Sequence, residues 1–310
     1  MDTLLLIDGN AIMHRAFHAL PPFKTKGGIP TNAVYGFFSM LFKTINDFNP
    51  QFVTVCFDTP KPTFRKKLFK QYQIHRPKMD DDLSSQFPLI KELLQKAGIY
   101  HEEKPGFEAD DVIGTITKSV PKDQFKVLIL TGDKDLMQLI DGNVYTITPQ
   151  LGFSKTKIFD RKEVVAKFGI QPEQIPDFKA LAGDPSDNYP GAKGIGPKTA
   201  SNLIKEYHSV ENLLKNIDKL PEKIKKTITK YKKDILLSKK LAQIITDIKI
   251  KFALENAKFA GFRPELKDSL LKLEMYSLAG RFFSDRKVAE QKVKKPKKKL
   301  EIVSSQIGLF

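Results

Sequence analysis

Acidic residues follow three apolar runs that are rich in Leu, Ile and Val. The runs are residues 4–7, 52–57 and 127–130. Their composition predicts buried strands of a parallel sheet, and Asp8, Asp58 and Asp133 come just after them. Because ligands of open α/β sheets bind at the carboxyl ends of the strands, we expect these carboxylates to meet at one edge. A helix cap or a loop carboxylate explains any one of them alone, but not all three.

More acids follow in three short segments. Asp135 lies two residues after Asp133, and a predicted helix begins near Glu108. The apolar face of that helix leaves Glu108 and Asp111 adjacent on its flank, whereas Asp110 points elsewhere or lies near the frayed start. The further candidate ligands are Glu108, Asp110, Asp111, Asp135, Asp184 and Asp187.

Such a cluster of acids favours hard metal ions. Carboxylates in one cleft would repel each other and could not stay ionised without cations. Mg²⁺ takes about six oxygen ligands, and Mn²⁺ accepts similar ones. Shared carboxylates can hold two such ions about 3.5–4 Å apart, where they bridge a phosphate, activate water and stabilise the leaving oxygen. The five histidines show no ligand spacing, so a histidine metal site is the weaker reading.

A glycine-rich stretch, residues 191–200, lies between two predicted helices. Glycines allow close approach of the backbone and a helix N-terminus offers free N–H groups, so this hairpin suits a DNA phosphate. A dinucleotide fingerprint also matches, but no strand precedes it and Pro197 is unusual there. The predicted DNA contacts here are Gly191, Lys193, Gly194, Gly196, Lys198 and Thr199.

Cations alternate with aromatic rings in residues 64–78, a pattern that suits single-stranded nucleic acid. A solvated amphipathic helix explains this stretch equally well, but its position after Asp58 favours function. The candidate DNA contacts are Arg65, Lys66, Tyr72 and Arg76.

The pattern of elements predicts an α/β fold with a mainly parallel sheet, followed by helices. Residues 144–147 are a further strand candidate, and helices at 33–42 and 87–97 are long enough to be crossovers. From about residue 176 the sequence becomes helical and basic. We expect a core at 1–175 with a helical arch near 64–86, a helical domain at 176–290, and a flexible basic tail at 291–310.

Composition narrows the class of partner. The formal net charge is +16, which favours a polyanion, although a basic protein kept soluble by its charge is the plain alternative. The single Cys56 cannot form an internal disulfide, and the acidic start with its short apolar run predicts neither a signal peptide nor a membrane span. We therefore expect a cytoplasmic protein without membrane contact.

Several motifs in this order resemble the 5′ nuclease (flap endonuclease) domain of bacterial DNA polymerase I and its stand-alone relatives, over roughly residues 3–285. The motifs are Leu6-Ile7-Asp8-Gly9-Asn10, Arg15-Ala16-Phe17, residues 30–37, Phe57-Asp58, Glu108-Ala109-Asp110-Asp111, residues 131–136, residues 183–188 and the hairpin at 191–200. The resemblance implies a PIN-like nuclease core with a helix-three-turn-helix DNA-binding module, which cuts DNA near 5′ single-strand/duplex junctions in primer removal and repair. We expect a monomer that works alone or is recruited, without a polymerase domain and associated with the nucleoid, and with a K⁺ ion at the hairpin loop.

The resemblance also implies roles for the acids. Asp8, Asp58, Glu108 and Asp110 would surround a first Mg²⁺, and Asp133 would be shared. The second ion would take Asp111, Asp135, Asp184 and Asp187.

One position departs from the family. Its usual arch motif is Tyr-Lys-x-x-Arg, but here the lysine position is Gln73. Loss of a preorganised cation can cost on the order of 10²–10³ in rate. We expect Lys70 or Arg76 to take its catalytic role.

The terminal pentapeptide, residues 306–310, is similar to the peptide by which bacterial replication proteins dock on the sliding clamp. Its contacts would be Gln306, Leu309 and Phe310. Two other functions remain open at this level: a ribonuclease with the same acidic core, and a non-catalytic DNA-binding adaptor for the clamp.

Overall fold

A six-stranded sheet forms the centre of the computed structural model, which describes residues 1–149 and 156–283. The strands are β1 (Asp2–Asp8), β2 (Phe52–Phe57), β3 (Tyr100–Glu103), β4 (Phe125–Leu130), β5 (Val144–Pro149) and β6 (Thr156–Phe159). They are arranged in the order β3-β2-β1-β4-β5-β6, all parallel except β6. The predicted parallel α/β sheet is confirmed, while β3 and β6 were missed because neither is a continuous apolar run.

Alternating residues of β1 face two separate hydrophobic layers. Leu5 and Ile7 pack into one layer, Leu4 and Leu6 into the other, and all four are fully buried. Burial on both faces explains why the central strands lack an apolar–polar alternation. The sheet is thus covered on both sides, which leaves its carboxyl edge as the open place for a site.

Fourteen α-helices lie among the described residues. The helices are α1 (Gly9–Ala19), α2 (Asn32–Phe48), α3 (Phe64–Leu68), α4 (Asp81–Ser84), α5 (Gln86–Ala97), α6 (Ala109–Ser119), α7 (Arg161–Phe168), α8 (Ile175–Ala182), α9 (Pro197–Tyr207), α10 (Val210–Lys215), α11 (Glu222–Lys230), α12 (Lys232–Ala242), α13 (Pro264–Lys272) and α14 (Tyr276–Phe283). Helices α1, α2 and α5 cover one face of the sheet and α6 covers the other. Within the described ranges, no helix has the length and hydrophobicity to cross a membrane.

A separate hydrophobic cluster joins α8 to α12, as the helical and basic pattern predicts. The chain then returns to the core: Ile244 and Ile248 pack beside α6, while Leu266 and Leu278 pack on the opposite face. Residues 244–283 of the predicted second domain therefore contribute to the packing of the first.

The segment predicted as a helical arch, residues 64–86, is only partly helical. Helix α3 ends at Leu68, turns follow, and α4 begins at Asp81. Gln73 has a φ of 53°, which lies in the left-handed region. Pro77 lacks an N–H and disfavours a helical conformation of the preceding residue, so a continuous helix cannot pass through this segment.

Candidate active site at the carboxyl edge of the sheet

Three carboxylates lie at the carboxyl edge, on adjacent strands. Asp8 is the last residue of β1, Asp58 follows β2, and Asp133 follows β4. Because β1 pairs in parallel with both β2 and β4, the three strands end on the same side. This is the arrangement that the apolar runs predicted.

Asp8 is buried, and both of its oxygens are held in place. Oδ1 accepts a hydrogen bond from the Ala11 amide at 2.9 Å and so caps α1, while Oδ2 accepts one from the Thr131 hydroxyl at 2.9 Å. Burial, followed by the charges of Asp58 and Asp133, raises the pKa of Asp8 to about 7. An ionised Asp8 is therefore stabilised by any cation that enters the cleft.

Asp58 is tied to two neighbouring elements. Its Oδ1 accepts from the Ala109 amide at the start of α6 at 2.7 Å, and its own amide donates to Asn10 Oδ1 at 2.9 Å. Burial raises the pKa of Asp58. Asn10 and Thr131 were not singled out as site residues, although both stand in the motifs that carry the resemblance.

The start of α6 brings two more acids to this cleft. Burial raises the pKa of Glu108 to about 7, although the charge of Arg65 opposes that shift. Burial and the charges of Asp133 and Asp8 raise the pKa of Asp110 well above its ordinary value. These mutual effects show that acids from β1, β4 and α6 share one electrostatic environment.

A second acidic group is formed by Asp135, Asp184 and Asp187, each of which has a carboxylate oxygen within 4.8 Å of the others. Asp135 begins a 3₁₀ helix after β4. Asp184 forms an isolated antiparallel bridge with Tyr189 and accepts from the Ser186 amide at 2.9 Å, so a tight turn presents both Asp184 and Asp187. We call this set the second acid group.

Lys179, on α8, contacts two members of the second acid group through its ammonium: Asp135 Oδ1 and Asp184 Oδ2. Burial and the charge of Asp133 raise the pKa of Asp135 to about 7, with Lys179 opposing the shift. Burial also disfavours ionised Asp184, but Lys179 and the Ser186 hydrogen bonds outweigh it and lower the pKa. Lys179 was not recognised from the sequence, because its acids come from other segments.

Asp111 and Arg65 form a buried ion pair beside Glu108. The guanidinium makes paired contacts of 2.8 and 2.9 Å with the two oxygens of Asp111, and it also donates to the carbonyls of Leu241 and Gln243. Asp111 is fully buried and accepts from the Ile245 amide as well. While this ion pair holds, Asp111 is not available to a metal ion and Arg65 is not available to a DNA phosphate.

Tyr72 and Gln73 lie over the acids and connect the two groups. The Tyr72 hydroxyl is 3.3 Å from both Glu108 Oε2 and Asp187 Oδ2. The Gln73 side-chain amide donates to Asp187 Oδ1 at 2.8 Å, and the Gln73 backbone amide donates to the Asp187 backbone carbonyl at 2.9 Å. Gln73, at the position of the family's arch lysine, therefore orients a carboxylate, and the buried Tyr72 ring is not exposed to stack on a base.

The cations of residues 64–78 differ in their surroundings. Lys66 donates to the Tyr72 carbonyl at 2.7 Å and so supports the turn. Arg76 is exposed. Burial raises the pKa of Asp58, and the charge of Arg76 opposes that shift. Burial lowers the pKa of His14, and the charge of Arg76 adds to that shift. Lys70 is exposed on the same segment. Arg76 is therefore one of the cations whose charge reaches the cleft, together with the buried Arg65 and Lys179.

The glycine-rich stretch forms a hairpin between α8 and α9. Gly191 has a φ of +59°, and a Cβ there would lie 2.3 Å from the Gly183 nitrogen, so only glycine fits. The Ala192 amide donates to the Leu181 carbonyl at 2.9 Å, which closes the loop. Lys193, Gly194, Gly196 and Lys198 are exposed and Thr199 is half-buried, so the predicted contacts other than Gly191 lie at the surface.

The donor set fits hard divalent cations. All candidate ligands are carboxylates, the type that Mg²⁺ and Mn²⁺ prefer. The lysine ammonium in the second acid group is itself a cation at such a position. The buried Tyr189 hydroxyl has no hydrogen-bond partner among the described residues, and burial, followed by the charges of Asp135, Asp184 and Asp187, raises its pKa. Gln306, Leu309 and Phe310 lie outside the described residues.

The parallel sheet with acids at its carboxyl edge defines a metal-competent nuclease core, and comparison with known proteins gives the family. Residues 3–169 match the 5′-3′ exonuclease N-terminal resolvase-like domain, and residues 170–265 match the 5′-3′ exonuclease C-terminal SAM fold. The chain belongs to the 5′-3′ exonuclease family, and it is a nuclease of the flap endonuclease type.

Relatives of known sequence include both stand-alone and larger proteins. The chain is 45% identical to a 5′-3′ exonuclease of Aquifex aeolicus over 281 residues, which are 90% of this chain and 94% of that protein. It is 41% identical to DNA polymerase I of Bacillus subtilis over 290 residues, which are 93% of this chain but 33% of that protein. The chain thus spans about a third of the polymerase.

Solved structures support the fold. Bacteriophage T5 5′-exonuclease with bound zinc superimposes with a TM-score of 0.64 at 20% identity, covering 90% of this chain and 96% of that one. A complex of the T5 flap endonuclease with DNA and metal ions has a TM-score of 0.62 at 19% identity, covering 93% of this chain and 100% of that one.

Proposed function

We propose that this nuclease hydrolyses DNA phosphodiester bonds near the junction of a 5′ single strand with a duplex, with two Mg²⁺ ions that Mn²⁺ can replace. The observation that carries the proposal is that the acids lie beside both the arch segment and the hairpin. Gln73 of the arch segment donates to Asp187, and the hairpin between α8 and α9 follows Asp184 and Asp187 directly in the chain. A junction bound by both elements would place its backbone over the carboxylates.

Two sets of residues would hold the metal ions. The first is Asp8, Asp58, Glu108 and Asp110, and the second is Asp135, Asp184 and Asp187, with Asp133 between them. Asp111 is omitted because Arg65 occupies it. When bound, the ions would supply an activated water and stabilise the leaving oxygen of the phosphodiester.

The protein's own residues hold the DNA. The exposed hairpin backbone at Gly194 and Gly196, with Lys193 and Lys198, would bind duplex phosphates without reading sequence, and K⁺ is proposed to join them. Tyr72 and Gln73 keep Asp187 oriented toward the cleft. These contacts are fixed before DNA arrives, which is the preorganisation that such catalysis needs.

Digestion of an end-labelled 5′-flap duplex tests this function. We expect cleavage near the junction with Mg²⁺ or Mn²⁺ and none with EDTA, and an RNA flap of equal length tests the ribonuclease alternative. Asp133→Asn should lower turnover on the order of 10²–10³-fold. Asp123→Asn is the matched control, because Asp123 is exposed and precedes the opposite end of β4. Equal turnover of both variants, or a preference for RNA, would contradict the proposal.

We further propose that Arg76 supplies the cation that Gln73 lacks. The charge of Arg76 opposes the effect of burial on the pKa of Asp58, one of the acids of the cleft. Arg76→Ala should lower kcat on the order of 10²-fold on a saturating flap substrate. Lys70→Ala serves as the control, since it removes a cation from the same segment. A larger loss from Lys70→Ala would reverse the assignment.

The proposed setting is a monomer in the cytoplasm, near the nucleoid, that residues 306–310 recruit to the sliding clamp. A short hydrophobic peptide beside a basic linker suits a groove on a partner. Deleting these five residues should abolish clamp binding and leave unassisted cleavage intact. Equal clamp affinity after the deletion would refute the docking role.

A further inference from the structure

Lys179 bridges two of the three acids of the second acid group. Its ammonium contacts Asp135 and Asp184, which come from different elements, and its side chain is 16% exposed. Lys179 lies on α8, and Asp184 follows the end of that helix. The lysine can therefore reach across the group from a fixed backbone position.

The carboxylate oxygens of the second acid group are largely occupied by protein donors. Asp184 Oδ1 accepts from the Ser186 amide and hydroxyl at 2.9 and 2.5 Å, and its Oδ2 accepts from Lys179. Asp187 accepts from Gln73 and Tyr72. A divalent cation held by this group would need oxygens that now contact Lys179, and its charge would repel the ammonium at the same short range.

We propose that Lys179 is a built-in competitor of the second metal ion. In the metal-free protein it neutralises Asp135 and Asp184, and it must leave them when a divalent cation binds. Lys179 thereby weakens binding of the second ion and makes this half of the site fill only at higher metal concentration. The inference rests on the proposed metal-dependent function and assigns a role to a residue outside the ligand sets.

A lysine with similar contacts elsewhere provides the control. Lys239, on α12, bridges Asp177 and Glu211 at 2.6 Å each, and Asp177 also accepts from the Val210 amide. This bridge joins helices of the predicted second domain, and among residues 1–149 and 156–283 no third carboxylate completes it as a metal-ligand group. Lys239→Met thus removes the same type of contact without touching the described acid groups.

The affinity of both sites for Mn²⁺ can be measured without DNA by titrating the full chain with Mn²⁺. The electron paramagnetic resonance signal of free Mn²⁺ monitors the titration. Lys179→Met should bind the second Mn²⁺ at least tenfold more tightly than the unchanged protein. Lys239→Met should bind both ions with unchanged affinity. Unchanged or weaker binding of the second ion by Lys179→Met would overturn the proposal.

Lysine acetylation of the unchanged protein gives a second measurement that does not depend on a variant folding. Held by two carboxylates, Lys179 should react slowly with acetic anhydride in EDTA, and Mg²⁺ should raise its acetylation severalfold, as peptide mass spectrometry would show. Lys239 should react equally with and without Mg²⁺. Lys179 acetylation that stays constant or falls while Mg²⁺ saturates the protein would also overturn the proposal.

The two proposals fail in different ways. Flap cleavage that requires Mg²⁺, together with unchanged Lys179 reactivity, would reject only the competitor role. Absence of both Mn²⁺ binding and flap cleavage in the unchanged protein would reject the metal-dependent function, and the competitor role with it.

Discussion

Asp110 and Asp111 are adjacent acids at the start of α6 for which the structure predicts opposite consequences of the same substitution. Asp111→Asn removes the charge that Arg65 faces in a fully buried site. Asp110→Asn removes one charge from a group whose members repel each other, as the raised pKa of Asp110 through burial and the charges of Asp133 and Asp8 indicates.

The loss in free energy of unfolding that Asp111→Asn causes can be estimated from the contacts of the ion pair. Arg65 is 2% exposed, and burial opposes its charge, but hydrogen bonding to Asp111 and the charge of Glu108 outweigh burial and raise its pKa. Removing one partner of a buried ion pair costs about 3–5 kcal/mol. Glu108 remains 3.2 Å from the guanidinium, so we expect a loss near the lower value, about 3 kcal/mol. That is a large part of a total stability of roughly 5–15 kcal/mol.

The free energy of unfolding of both variants is measured by urea unfolding in EDTA, which circular dichroism monitors. Asp111→Asn should unfold at a lower urea concentration than the unchanged protein, and Asp110→Asn at an equal or higher one. On adding Mg²⁺, Asp111→Asn should still be stabilised, whereas Asp110→Asn should gain less. The reasoning is refuted if Asp111→Asn keeps its stability in EDTA and loses the stabilisation by Mg²⁺, because that is how a metal ligand behaves.

Two further predictions concern the hairpin and the acids. Gly191→Ala should lower the free energy of unfolding by about 3 kcal/mol or more, because its Cβ would lie 2.3 Å from the Gly183 nitrogen. Gly194→Ala should lower it by only roughly 1–2 kcal/mol, because Gly194 has a φ of +98° but open space around it. Equal losses in urea unfolding would contradict this prediction. In EDTA, the free energy of unfolding should fall as the pH rises from about 4 through about 7. Burial raises the pKa of Asp8 and Glu108 in the folded protein to about 7. A group with a raised pKa stabilises the fold below its unfolded-state pKa and loses that contribution above its folded-state pKa. Urea unfolding of the unchanged protein near pH 5 and pH 8 measures this fall. If the unchanged protein and Asp110→Asn differed in free energy of unfolding by the same amount at both pH values, that result would count against the prediction.

The central strands and the edge that carries the site were predictable from local pattern. Runs of Leu, Ile and Val buried on both faces have few alternatives to a parallel strand, so Asp8, Asp58 and Asp133 could be placed at strand ends in advance. Strand β3, with its Tyr-His-Glu-Glu sequence, could not be recognised, because it becomes a strand only by pairing with β2. The return of residues 244–283 to the core was hidden for the same reason: their partners lie far away in sequence.

Arg65 and Lys179 show where sequence reasoning reaches its limit. Arg65 stands among exposed cations in the sequence, yet it is buried against Asp111 and the carbonyls of Leu241 and Gln243. No local pattern reveals those carbonyls, because they lie at the C-terminal end of α12, more than half the chain away. Lys179 likewise acquires its position only when α8 and the segment after β4 come together.

The sequence by itself determined the type of chemistry, because carboxylates at strand ends and a glycine hairpin in a basic chain have few other uses. Only the tertiary structure decided which of two adjacent acids enters the cleft. Successive residues of a helix point in different directions, and the elements packed around α6 turn Asp111 into a buried partner of Arg65 while Asp110 joins the other acids.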